Sequence, residues 1–151
     1  MRKLNIKSIA YLFAAMLFVL DRVLKLALID GYLKGPVNLL GNFFRFNFAG
    51  NPYIAFSLPL NQVLILVLDS VVVFLLIAYI VYLILAKKRQ EASLLPLTFL
   101  TFGAISNVLD RYRFGYVIDY LDLKYFTVFN LADVMIVLSI CYLLIILNKK
   151  K

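Results

Sequence analysis

Two aspartates flank the beginning of the last apolar run in this sequence, Asp119 in the segment VIDY and Asp133 in the segment FNLAD. Two carboxyl groups that share a partly desolvated site cannot both ionise cheaply, so they hold one proton between them. The ionised group can then activate a water molecule while the protonated group donates its proton to the departing group. This pair favours aspartic-protease chemistry. In the structural alternative, Asp133 only pairs with Arg111 or caps the last helix.

A second group of polar residues ends the third apolar run, in the segment GAISNVLDRYRFGYVIDY. Asn107, Asp110 and Arg111 have the spacing i, i+3 and i+4, which places them on one face of a helix. We expect them to position a substrate or the aspartates, because Arg holds carboxylate and carbonyl groups well. The alternative is that Asp110 and Arg111 only pair with each other.

Three further charged residues lie inside apolar runs, where charge is costly and by default marks a functional site or a paired cluster. Asp21 and Lys25 are four apart on one helix face, so they either support the site or form an ion pair that makes a helix end tolerable. Asp69 has no basic residue at helical spacing. We expect it to make an interhelical hydrogen bond or to be protonated.

The composition excludes most other classes of protein. Of 151 residues, 64% are hydrophobic and only 16% are charged, which predicts an integral membrane protein. The absence of His excludes Ser-His-Asp and Cys-His catalysis and His-ligated metals, and we expect no metal and no cofactor. The single cysteine, Cys141, cannot form an intrachain disulfide. The net charge of +8 comes mostly from short basic clusters beside apolar runs, which indicates membrane flanks and no nucleic-acid partner.

Four apolar stretches are long enough to cross the roughly 30 Å of hydrocarbon in a bilayer. The predicted transmembrane helices lie at about residues 8–29, 63–86, 93–109 and 128–147. They belong to a single predicted domain, residues 1–151. The basic clusters near the N terminus, at residues 87–89 and at the C terminus then all lie in the cytoplasm. The segment NFFRFNFAGNPYIAFSLP, on the outer side, is predicted to form a small sheet, or cradle, at the membrane interface.

Five short blocks occur in the order DRVLK, NPYIAF, GAISNVLDR, VIDY and FNLAD. Together they resemble the lipoprotein signal peptidases, the signal peptidase II family of bacterial intramembrane aspartyl proteases. The resemblance implies an all-α membrane protein with four transmembrane helices and a small extracytoplasmic β-cradle. It implies a place in the bacterial cytoplasmic (inner) membrane, with both termini in the cytoplasm and the active site at the extracytoplasmic face. The implied substrate is a prolipoprotein whose lipobox Cys carries diacylglycerol, cut on the N-terminal side of that Cys.

The resemblance also assigns roles to single residues. It implies that Asp119 and Asp133 are the catalytic pair. We expect the protein to be a monomer that is surrounded by membrane lipid. The residues implied to position the substrate or the pair are Asn51, Asn107, Asp110, Arg111 and Asn130, and those implied to support the site are Asp21 and Lys25. Two positions depart from the family's pattern, since Tyr53 and Ser106 both stand where Gly is expected. Ser106 replaces one small residue by another, which a tight helix contact tolerates.

Two other classes of function compete with a protease. Intramembrane Asp and Arg residues could form the relay of a small proton-coupled membrane transporter, in which ionisable groups are expected at several depths. Here most of these groups lie near one end of the predicted helices, and Asp69 is the deeper exception. The second competitor is a noncatalytic lipid-binding or assembly protein, in which the polar cluster only secures helix packing.

Overall fold

A computed structural model describes residues 6–32, 35–53, 61–86 and 91–149 of the chain. The described elements are α1 (Ile6–Ile29), β1 (Val37–Leu40), β2 (Phe44–Asn51), α2 (Gln62–Leu85), α3 (Glu91–Phe114), β3 (Val117–Leu123) and α4 (Leu131–Asn148). The mostly helical fold with a small sheet confirms that part of the prediction. The last three residues of the block NPYIAF and most of the basic clusters that set the predicted orientation lie outside the described residues.

Three of the described helices are long and apolar enough to cross a membrane: Gln62–Leu85, Ser93–Phe114 and Leu131–Asn148. The first predicted span coincides with α1, which has the same length of 24 residues as α2. Its second half carries Asp21, Arg22 and Lys25, and these charges lower its hydropathy. A multi-pass membrane protein is therefore supported, whereas the prediction of four transmembrane helices is not confirmed.

Two helix boundaries differ from the predicted ones by three residues or more. The third helix was predicted to end at residue 109 but continues to Phe114, since Asp110 is fully buried and bonded inside the protein. The fourth was predicted to begin at residue 128 but begins at Leu131. Asn130 is its N-cap, and the Asn130 side chain accepts a hydrogen bond from the backbone N–H of Asp133.

The sheet is antiparallel with the strand order β1-β2-β3. The sequence predicted the sheet within the segment NFFRFNFAGNPYIAFSLP and predicted no strand after α3. The segment after α3 forms β3, which pairs with β2 and places Asp119 opposite Ala49. The register between β2 and β3 shifts between Phe46 and Ala49, which marks a bulge close to the two strand ends that carry Asn51 and Asp119.

Helix α3 packs against each of the other three helices, and most extensively against α4. Gly103 makes this close approach possible, because a Cβ atom there would lie 2.6 Å from the carbonyl oxygen of Ala132. Most large side chains of α2 face outward, as expected of a helix that contacts lipid. The sheet packs on α1 through Leu28, Ile118 and Tyr120. These contacts bring the ends of α1, α3 and α4 to the same place as β3.

Candidate active site

Asp119 lies in β3 and is 1% exposed, although it is a carboxylic acid. Each of its two oxygens accepts one amide hydrogen bond. Asn51 Nδ2 donates to Oδ2 at 3.1 Å, and Asn130 Nδ2 donates to Oδ1 at 2.7 Å. A buried carboxyl group needs such partners because an unsatisfied polar group in an apolar environment is costly.

Asp133 lies in the first turn of α4, where it completes a capping box with Asn130. Its Oδ2 accepts the backbone N–H of Asn130 at 3.3 Å, and its Oδ1 accepts a hydrogen bond from Asn107 Nδ2 at 2.7 Å. The capping contact that the structural alternative expected of Asp133 is therefore present, as part of the capping box. This capping contact is compatible with a chemical role, because it uses only Oδ2 of Asp133, while Oδ1 accepts a hydrogen bond from Asn107 in α3.

Asn130 connects the two aspartates, since its side chain binds Asp119 while its backbone N–H binds Asp133. The same Nδ2 also lies 3.2 Å from Asn107 Oδ1 and 3.3 Å from the carbonyl oxygen of Ile118. Asn130 is fully buried, so these contacts are shielded from water. The structure thus brings together five of the residues singled out in the sequence: Asn51, Asn107, Asp119, Asn130 and Asp133.

Burial raises the pKa of Asp119 from its ordinary value of 3.8 to about 7, and the negative charge of Asp133 adds to the rise. The hydrogen bonds from Asn51 and Asn130 and the charge of Lys25 act in the opposite direction and lower the pKa. Because the pKa of Asp119 is raised toward neutral pH, the pair can hold one proton there. This is the state in which one carboxyl can act as a base and the other as an acid.

For a reaction that uses the proton of this pair, we expect kcat/KM to fall on the alkaline side with an apparent pKa near 7, because that proton is lost there. Asn51→Ala should move this alkaline limb to higher pH by about one pH unit, since it removes a hydrogen bond that lowers the pKa of Asp119. Asn47→Ala is the matched control, because Asn47 lies in the same strand but donates to Asp122. Rates measured over a pH series contradict this expectation if Asn51→Ala leaves the limb where it was.

Lys25, in α1, is fully buried and is linked to the pair through Asn107. Its ammonium nitrogen is 2.9 Å from Asp21 Oδ2, 2.8 Å from Asp110 Oδ2 and 3.0 Å from Asn107 Oδ1. The predicted ion pair of Asp21 and Lys25 is thus present, as one part of a larger network. The contact with Asn107 also has a consequence for the site. Because Lys25 can only donate, it holds the oxygen of the Asn107 amide and turns the Nδ2 group toward Asp133.

The sequence analysis did not predict three members of this network. Arg22 pairs with Asp110 and donates to the Ser106 carbonyl oxygen at 3.0 Å. Ser106, predicted only as a small contact residue, donates from its hydroxyl to Asp21 at 2.6 Å. Tyr120 also donates to Asp21, at 2.7 Å, and burial followed by the charge of Asp21 raises its pKa above the usual range, so it stays a neutral donor.

Arg111 pairs with a residue other than Asp110 or Asp133, which were its partners in the structural alternatives. Asp110 and Arg111 are consecutive in α3, so their side chains point about 100° apart around the axis. Arg111 turns toward α2, where its Nη1 lies 3.0 Å from Asp69 Oδ2, and its Nη2 donates to the Tyr53 carbonyl oxygen at 2.9 Å. The interhelical contact expected for Asp69 is therefore an ion pair, with a basic partner supplied by another helix.

Among the described residues, no group of three or more His, Cys, Asp or Glu side chains is placed to hold a metal ion. The possible chemistry of this site comes from its carboxyl groups, with the amides of Asn51, Asn107 and Asn130 as donors around them. Such an arrangement can hold one proton and orient a water molecule between two carboxyl groups.

Comparison with known proteins supports the same chemistry. The family model described as "Signal peptidase (SPase) II" matches residues 13–149. A lipoprotein signal peptidase of Moorella thermoacetica is 37% identical over 110 residues, which cover 70% of this chain and 69% of the relative. A lipoprotein signal peptidase of Halothermothrix orenii is 31% identical over 141 residues and covers 91% of this chain and 93% of the relative.

Two solved structures, both described as bacterial membrane enzymes, share the fold. The first has a TM-score of 0.79 and 20% sequence identity, and the match covers 99% of this chain and 93% of that one. The second has a TM-score of 0.76 and 20% identity, with 100% and 99% covered. At this identity the likeness concerns the fold alone. It extends over all the elements that carry the aspartates and their donors.

Proposed function

Because the chain belongs to the signal peptidase II family, we propose that Asp119 and Asp133 are the two carboxyl groups with which it removes signal peptides from prolipoproteins. The observation that carries this assignment is the double contact of Asn130, which binds one carboxylate through its side chain and the other through its backbone. The enzyme is an endopeptidase of the aspartic type. The transporter and the noncatalytic protein are not favoured by this family membership.

The proposed reaction uses the shared proton of the pair. The ionised carboxyl takes a proton from a water molecule as the water oxygen attacks the carbonyl carbon of the scissile peptide bond. The protonated carboxyl then gives its proton to the departing nitrogen, and the carbon–nitrogen bond breaks. One water is consumed, a carboxylic acid and an amine are formed, and the proton taken from the water leaves the pair with one proton again. Asn51, Asn107 and Asn130 keep both carboxyl groups oriented during these transfers.

The proposed substrate is a prolipoprotein whose Cys carries diacylglycerol, cut on the N-terminal side of that Cys. Support comes from the location of the pair at one end of three apolar helices, with outward-facing apolar side chains below it. Acyl chains dissolved in the surrounding lipid would hold the peptide bond beside the aspartates. Such anchoring raises the effective concentration of the reacting groups without any new contact to the peptide.

The test is cleavage by the purified protein in detergent, with one prolipoprotein offered with and without the diacylglyceryl group. We expect the lipidated form to be cut before its Cys and the unlipidated form to be cut poorly, because the second lacks the membrane anchor. If the lipidated form stays intact, the proposed function is wrong. If both forms were cut equally, the proposed role of the lipid would be wrong, but the chain would still be a protease.

We further propose that this single domain acts as a monomer in the bacterial cytoplasmic membrane, with both termini in the cytoplasm and the aspartates on the outer side. The monomer is proposed because one chain supplies a hydrogen-bond donor to each of the four oxygens of the two carboxylates, so the site needs no second copy to complete it. The orientation is supported by the basic clusters, which favour the cytoplasmic side of membranes.

Labelling of single cysteines in cells tests this orientation. In a variant with Cys141→Ser, we expect a membrane-impermeant maleimide to label Lys34→Cys but not Lys88→Cys, since the two positions lie on opposite sides of the membrane in the proposed topology. Labelling after permeabilisation is the control for accessibility. The reverse pattern would invert the proposed topology.

A further inference from the structure

We propose that Asp69, in α2, is a positioning residue of the active site: through Arg111 and the backbone of Tyr53 it holds the Asn51 amide in the orientation that binds Asp119. The inference rests on the proposed function, because it gives Asp69 a role in orienting one of the two catalytic carboxyl groups. It also assigns a role to a carboxylate that the sequence predicted only to make an interhelical hydrogen bond or to be protonated.

The first link is the ion pair between α2 and α3. Asp69 lies about 10 Å along the helix axis from Gln62, the first residue of α2, at a rise of about 1.5 Å per residue. A carboxylate at this depth of an apolar helix is costly unless it is paired. Its partner is Arg111 Nη1 at 3.0 Å, and the Arg111 side chain is only 12% exposed. Asp69 therefore fixes where the guanidinium group lies.

The second link joins this guanidinium to the end of the sheet. Arg111 Nη2 donates to the backbone carbonyl oxygen of Tyr53 at 2.9 Å, while Nη1 remains on Asp69. The guanidinium group is planar and its donors keep fixed directions. When Asp69 holds one side of this group, the other side can reach Tyr53 only in one orientation. Helix α2 thus sets the position of the chain that leaves β2.

The third link passes from this backbone to the catalytic pair. The backbone N–H of Tyr53 donates to Asn51 Oδ1 at 3.1 Å, which closes a turn through Pro52. Pro52 has a fixed φ, so few conformations connect the two residues. Because the oxygen of the Asn51 amide is taken by this N–H, its Nδ2 must face the other way. There it donates to Asp119 Oδ2 at 3.1 Å.

Removing the carboxylate of Asp69 is therefore expected to act on the chemical step. The guanidinium group of Arg111 loses its anchor, the Tyr53 carbonyl is no longer held, and the Asn51 amide can rotate away from Asp119. None of these groups is proposed to hold the acyl chains of the substrate, so KM should change little. A loss in kcat with constant KM is the sign of a contact that matters in the transition state.

The first experiment compares three variants of the full-length protein in the cleavage assay. We expect Asp69→Leu to lower kcat about tenfold with KM unchanged within about twofold. Asp69→Asn keeps an oxygen for Arg111 and should retain most of the wild-type kcat. Ser70→Ala is the matched control, because it removes the neighbouring polar group of α2, whose hydroxyl bonds only to the Leu66 carbonyl among the described contacts. It should leave kcat unchanged.

The second experiment is a double-mutant cycle, which separates positioning from general weakening of the fold. If Asp69 acts through Asn51, then Asp69→Leu should cost nothing further once Asn51→Ala is present. Combined with Tyr120→Phe, which removes only the hydroxyl that donates to Asp21, Asp69→Leu should lower kcat by the same factor as it does alone. If Asp69→Leu fails to fold in detergent, Asp69→Ser replaces it in both cycles, since its side chain is too short to reach Arg111.

The outcomes also distinguish this inference from the proposed function. Wild-type protein that leaves the lipidated substrate uncut would overturn the function itself. If wild type cuts and Asp69→Leu behaves like Ser70→Ala, only the positioning role of Asp69 is wrong. Additive losses for Asp69→Leu and Asn51→Ala would also overturn it, because independent sites add. A lower kcat, rescue by Asp69→Asn and no additivity with Asn51→Ala would together support it.

Discussion

Asp119→Asn and Asp133→Asn are each expected to lower kcat for signal-peptide removal at least about a thousandfold, because neither leaves a pair that can both take and give a proton. An Asn side chain has nearly the same shape as Asp but cannot ionise. Asp119 accepts one amide hydrogen bond on each of its oxygens, and the Asn side chain has only one oxygen to offer. The measurement is single-turnover cleavage of the lipidated substrate, which isolates the chemical step from release of products.

Asp122→Asn is the matched control for these two variants. Asp122 lies in the same strand as Asp119 and is 7% exposed, but its Oδ2 accepts hydrogen bonds from Arg45 and Asn47 on the neighbouring strand. We expect this variant to keep its rate within about threefold of the wild type, because Asp122 has no contact with the pair. Full cleavage by folded Asp119→Asn and Asp133→Asn would show that the reaction does not use these carboxyl groups.

The sequence predicted which polar residues lie close together better than it predicted the elements that carry them. Asp119 and Asp133 stood out as paired carboxylates in a chain without His, and the fold brings them to a common donor, Asn130. The strand that carries Asp119 was missed. Its residues alternate poorly between polar and apolar because all seven side chains of the strand, from Val117 to Leu123, are at least partly enclosed, and five of them are buried. A strand enclosed on both faces loses the alternation by which strands are recognised.

The sequence indicated which charged residues to single out, but it did not indicate which residues they contact. Helical spacing shows which side chains share a face, but it does not show which neighbouring element that face will meet. Arg22 contacts Ser106 and Asp110, which are more than 80 residues away in the chain. Arg111 meets Asp69 because α3 lies between α1 and α2, an arrangement that only packing decides. Motif resemblance therefore identified residues correctly as polar neighbours of the site without predicting their contacts.

The second large effect is expected on stability. Lys25→Met should lower the midpoint of thermal unfolding in detergent by roughly 10 °C, which corresponds to a cost of about 3–5 kcal/mol for breaking a buried charge network. Asp21 and Asp110 are both fully buried, and both lose the cation that lies within 3 Å of them. Arg22 still neutralises Asp110, so the greater part of the penalty should come from Asp21. Lys149→Met, an exposed change at the end of α4, is the control and should leave the midpoint in place.

A second substitution separates the two effects of Lys25 on the protein. Asp21→Asn added to Lys25→Met removes the carboxylate that was left without its cation, so part of the lost stability should return. Activity should stay low in this double variant, because the Asn107 oxygen still lacks the ammonium group that turns its Nδ2 toward Asp133. If stability and activity returned together, Lys25 would serve only to neutralise charge. Recovery of stability alone would mean that the buried cation also orients the Asn107 amide, which holds one of the two proposed catalytic carboxyl groups.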